Sequence, residues 1–122
     1  MAATVQINQG GRVAATLTLQ NTGGRSATVV VTLEAVSSFN ITAPFRDSSG
    51  NPNPTVTIAG NGGTQTLNLT SDAITTAGTY SVDLTVTDAT TLQSYITQAV
   101  EGTVTVLSPA NVVVQSISLL PA

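Results

Sequence analysis

Four residue types are missing from this chain of 122 residues: cysteine, histidine, lysine and tryptophan. Without cysteine there is no disulfide, no thiol nucleophile and no sulfur-ligated zinc. Without histidine or lysine, proton transfer near neutral pH is left to carboxylates. Aromatic residues make up 3% and charged residues 7% of the chain. Three arginines (Arg12, Arg25 and Arg46) cannot lay a basic stripe along a phosphate backbone, and no aromatic platform accompanies them. Nucleic acid is therefore not expected as a partner. No apolar run reaches the roughly 18–20 residues of a membrane-spanning helix, so no membrane span is expected. The start, Met1-Ala2-Ala3-Thr4, has neither the basic nor the apolar region of a secretory signal. Either the chain is made without a leader, as a virion protein would be, or its numbering opens on a mature segment.

What remains is dominated by threonine and valine, residues that suit a pleated, half-buried surface. With 41% hydrophobic residues the chain can bury a core, and one domain is expected over residues 1–110. The clearest pattern is Gly78-Thr79-Tyr80-Ser81-Val82-Asp83-Leu84-Thr85-Val86-Thr87. Tyr80, Val82, Leu84 and Val86 fall on one face and Ser81, Asp83, Thr85 and Thr87 on the other, the period-2 alternation of a strand with one wet side. Similar alternation is read around Val5 and Ile7, from Val13 to Gln20, from Ser26 to Val36, at Val56 and Ile58, at Leu67 and Leu69, from Tyr95 to Val100, and from Thr103 to Leu107. Phe39–Thr42 is followed by a loop expected from Pro44 to Pro54, and Ser71–Ala77 has room for one helical turn. Gly10-Gly11, Asn21-Thr22-Gly23-Gly24 and Asn61-Gly62-Gly63 supply turns. About seven to nine short strands without a helical period predict an antiparallel β-sandwich with Greek-key connections.

Two stretches carry a family resemblance. Thr16-Leu17-Thr18-Leu19-Gln20-Asn21-Thr22-Gly23-Gly24-Arg25-Ser26-Ala27-Thr28-Val29-Val30-Val31 resembles the opening hairpin of prokaryotic Ig-like modules, including the cell-adhesion-related bacterial type. Gly78-Thr79-Tyr80 resembles the start of the strand that bears their tyrosine corner, although Thr76 stands where several such families place Asp. The resemblance spans roughly Val13 to Leu107 and implies an Ig-like sandwich, with Tyr80 as the corner residue. It further implies a location outside the cell, on a cell surface or on a virion, and a role in spacing, adhesion or assembly.

The candidate sites are few. The carboxylates Glu34, Asp47, Asp72, Asp83, Asp88 and Glu101 read as scattered over outward faces, so no catalytic residue and no cofactor is expected. Asp47, Ser49, Asn51 and Asn53 gather side-chain oxygens in one loop, a minor calcium candidate beside its reading as a plain Asx-rich turn. Asn40 and Asn68 each begin an Asn-x-Thr sequon and read either as glycosylation acceptors or as ordinary surface asparagines. Segment 111–122 holds Val112, Val114, Ile117 and Leu119, has no charge, and follows the strand-breaking Ser108-Pro109. It is either one more strand of the molecule's own sheet or an extension that adds to a neighbouring subunit, with Val5 and Ile7 of the N-terminal strand as a second candidate for exchange. The expected function is therefore structural and non-enzymatic, as a homo-oligomer, a polymer or a subunit on a capsid or surface scaffold. The rival expectations are a carbohydrate- or protein-binding adhesion module using loops 43–54 and 59–63, and a spacer of a longer surface protein.

Overall fold

A computed structural model describes residues 3–122, and those residues form eight strands and no helix. In chain order they are β1 (Ala3–Asn8), β2 (Ala14–Asn21), β3 (Ala27–Ser37), β4 (Thr42–Arg46), β5 (Thr55–Ile58), β6 (Gly63–Ser71), β7 (Gly78–Asp88) and β8 (Ser94–Leu107). They join in one curled path, β1-β8-β7-β3-β4-β6-β2, with β5 added beside the first half of β3. The alternation read in the sequence becomes burial. Val29, Val31, Leu33 and Ala35 of β3, Tyr80, Leu84 and Val86 of β7, and Val104 and Val106 of β8 all enter one core. Leu19 of β2, Ala43 and Phe45 of β4, Ile58 of β5, and Leu67 and Leu69 of β6 join it, as do Val13 and Ile74 from outside the strands. The threonines between them stay outside and pair laterally, Thr18 with Thr66 at 3.0 Å and Thr28 with Thr57 at 2.9 Å.

Several expectations need correction. The sheet is mixed and not purely antiparallel, because β1 runs parallel to β8 from Ala3 opposite Gly102 to Asn8 opposite Leu107. Alternation is the same for either direction, and turns specify only the hairpins they close. The segments read as Tyr95–Val100 and Thr103–Leu107 are one strand, β8. Its pairing with β7 slips between Val82 and Asp83, so that Val82 faces Gly102, Asp83 faces Val100 and Glu101 is passed over. A glycine that reads as a break here marks an irregularity inside a strand.

Ser38–Asn40 form a turn in place of a strand start, with Asn40 at φ 65° and Phe39 exposed. The loop expected from Pro44 loses its first residues to β4, a strand that changes neighbour along its short length. Thr42, Ala43 and Pro44 pair with β3, whereas Phe45 and Arg46 pair with β6. Ser71–Ala77 has no helical turn. It is extended and fastened to the β1–β2 turn, with the Gly10 N–H donating to the Ile74 carbonyl at 2.7 Å and the Ile74 N–H donating to Gly11 at 2.9 Å. Ile74 is buried. Residues 108–122 form no strand, so the segment 111–122 expected as a C-terminal strand lies outside the sheet of this single chain.

Candidate functional site

The two ends of the strand path, β1 and β2, face each other without pairing. Among the described residues β2 pairs only with β6, β1 pairs only with β8, and Ser94–Glu101 of β8 has no strand on its outer side. A seam runs between these edges. Its first part is a hollow of about 380 Å³ between Ala3–Val5 of β1 and Ala14–Leu17 of β2, floored by Leu33, Phe45, Val82 and Val104. Its second part, about 260 Å³, lies between Leu19–Thr22 and Tyr95–Ile96 above Ile58 and Val86. Among the described residues, the only charged side chain lining either hollow is Glu101. The seam closes at the Gln9–Val13 turn, where the bonds to Ile74 join a second latch. There the buried Ser71 hydroxyl accepts from the Val13 N–H at 2.8 Å and donates to the Asp72 carbonyl at 2.9 Å.

The tail leaves β8 at Leu107, beside this closed end, where the Gln9 N–H donates to the Leu107 carbonyl at 2.9 Å. Beyond it Val112, Val113, Val114, Ile117, Leu119 and Leu120 are 74–94% exposed. Val112 and Val114 do not share a face with Ile117 and Leu119 in a regular strand, because the spacing from 114 to 117 is odd; Val113 is the valine that does. Val5 is 42% exposed, and Ile7 packs against the core.

The remaining candidates lie apart from the seam. Asp47 Oδ1 accepts from the backbone N–H groups of Ser49 (3.0 Å) and Asn51 (2.9 Å), and Asn51 Oδ1 accepts from the Asn53 N–H at 2.9 Å. Asn53 Oδ1 accepts from the Thr32 hydroxyl at 2.8 Å. Asp47 Oδ1 and Asn51 Oδ1 thus cap the loop itself, and Asn53 Oδ1 is turned to a hydroxyl of β3. The 59–63 loop is tied down as well, with the Asn61 and Gly62 N–H groups donating to Gly23 and Asn21. Phe45, within the 43–54 segment proposed for ligand binding, is a core residue at 1% exposure. Asn40 and Asn68 are both at the surface, and Asn68 Oδ1 accepts from the Thr16 hydroxyl at 3.2 Å. The Tyr80 ring is buried and its hydroxyl donates to the Thr76 carbonyl at 2.7 Å, a main-chain acceptor that any residue at position 76 would offer.

The carboxylates are less scattered than the sequence reading expects, since the β3–β7 register sets Glu34 directly opposite Asp83. Asp83 Oδ1 is buried with no hydrogen-bond partner among the described residues. Among the described residues no three acidic, imidazole or thiol groups come together. Elsewhere Arg46 makes a two-pronged contact with Asp72, at 2.8 and 3.3 Å. The hydrogen bond from Arg46 holds the Asp72 carboxyl below its ordinary range and raises the guanidinium correspondingly. Asp88 is lowered chiefly by the backbone N–H groups of Thr91 and Thr90. The Tyr95 hydroxyl, which donates to Asp88, is itself raised.

The seam is the feature that the sequence reading missed. Its signal was present, because the β2 segment Ala14–Asn21 has no charge and no proline, the residues that usually guard an exposed sheet edge. No protein-family model matches the chain, and no curated protein matches it.

Proposed function

We propose that this chain is a structural, non-enzymatic subunit of an ordered assembly outside the cell, a surface filament or a virion coat, held partly by β-strand exchange. One observation carries the reading: a neutral ten-residue segment, 111–120, stands free of the body with six aliphatic side chains in water. Such a segment is unfavourable alone, and it gains both main-chain hydrogen bonds and apolar burial when it adds to another sheet.

The fold is read here as an Ig-like sandwich. β1-β8-β7-β3 would form one layer and β4-β6-β2 the other, with β4 crossing between them at Pro44. The change of partners along β4, the shared core and the Tyr80 hydroxyl bond to Thr76 support that assignment. An adhesion module gripping a ligand with its loops has less support, because Phe45 is core and both loops are fastened to the body.

Sedimentation over a wide concentration range, with negative-stain microscopy, tests the proposal on the full chain and on a chain ending at Pro109. Ordered particles from the full chain and monomers from the shorter one are expected. A full chain that stays monomeric at every concentration would refute it.

A further inference from the structure

We infer that the seam beside β2 is the acceptor and that residues 111–120 of a second copy of this chain are the strand it receives. The inference rests on the strand-exchange reading and adds to it the donor, the acceptor edge and the face of the donor that turns inward. Three observations bring donor and acceptor together.

The first is length. Ten extended residues span about 33 Å and the eight of β2 about 27 Å, so one tail reaches along the whole free edge. The second is chemistry. The hollows are floored by Leu33, Phe45, Val82 and Val104 and then by Ile58 and Val86, and the tail brings aliphatic side chains and no charge. In a strand, Val113, Ile117 and Leu119 share one face with Asn111 and Gln115 and turn to that floor, while Ser116 and Ser118 share the other face with Val112, Val114 and Leu120 and lie beside Thr16 and Thr18. The unused N–H and C=O groups of β2 find partners on the incoming backbone.

The third is connectivity, which favours another copy over the molecule's own tail. β1 stands between β8 and the seam, and the tail departs where the Gln9–Val13 turn is zipped to Ile74. To enter its own seam the tail would have to cross that turn within Ser108-Pro109-Ala110, and connections of this kind do not cross one another. In the structure it lies exposed.

The native absence of cysteine makes cross-linking direct. The full chain carrying Thr16→Cys or Thr18→Cys together with Ser116→Cys or Ser118→Cys is assembled and oxidised. Covalent ladders of two, three and more copies are expected, whereas Thr85→Cys on the outer face of β7 with the same tail cysteines yields none. In parallel, Ile117→Glu and Leu119→Glu should each raise the concentration for half-assembly at least about tenfold, since they place a charge in an apolar slot. Ser116→Glu should leave it nearly unchanged. These tail variants leave the body untouched, because the tail contributes nothing to the core.

Assembly that persists with ladders formed through Thr97→Cys on the free half of β8, and not through β2, would overturn the inference while sparing the broader proposal. So would equal effects of Ser116→Glu and Ile117→Glu. A cross-link confined to single chains would show the tail folding into its own seam and overturn it too. A native chain that never assembles would end both.

Discussion

Ser71 shows what one buried hydroxyl does in a chain whose other hydroxyls mostly face outward. It is fully buried at the point where β6 meets the start of β2, and it satisfies the Val13 N–H while giving its own proton to Asp72. Ser71→Ala leaves that N–H without a partner and should cost about 1–3 kcal/mol, read as a lower urea midpoint at unchanged slope. Thr18→Ala removes a hydroxyl pair at the surface and should change stability by less than about 0.5 kcal/mol. Acid acts at the same scale. Asp72 and Asp88 are both held below the ordinary carboxylate range in the folded chain. Their contribution is therefore complete above the unfolded-state value and is lost as pH falls through the lowered folded values. Thermal unfolding followed downward from pH 6 should show a falling midpoint below about pH 4, and Asp88→Asn should flatten part of that slope.

At the scale of the element, the strands were legible because burial follows alternation. Tyr80, Leu84 and Val86 point inward where the period placed them, and so do Val31, Leu33 and Ala35. Less legible was anything fixed by a distant partner. The parallel seating of β1, the crossing of β4 and the single long β8 depend on which edge a strand meets, and alternation carries no direction. Glu34 and Asp83 read as unrelated because their pairing is a property of register, 49 positions apart in the chain. The candidate site was half visible: the apolar tail could be read from composition, but its acceptor is a space between β1 and β2 that no local pattern encodes. Gly102 is an element-scale case as well. A Cβ placed there would stand 2.7 Å from the Ala3 carbonyl oxygen, a backbone atom that cannot swing aside. Gly102→Ala should therefore lift the start of β1 from β8 at a cost of about 1–3 kcal/mol. Hydrogen exchange should quicken along β1 and the facing half of β8 while the β2–β6 ladder keeps its protection.

For the molecule as a whole, the seating of β1 against β8 also decides how the protein responds to force. The chain enters β1 at Ala3, opposite Gly102, and leaves β8 at Leu107, opposite Asn8, so the two exits lie at opposite ends of one parallel ladder. Tension applied through them slides the strands along their length and loads the ladder's hydrogen bonds side by side, whereas an antiparallel terminal hairpin would peel open bond by bond. A single subunit pulled through its own two termini should therefore give way in one abrupt rupture set by the unfolding rate, and stay nearly inextensible until it does.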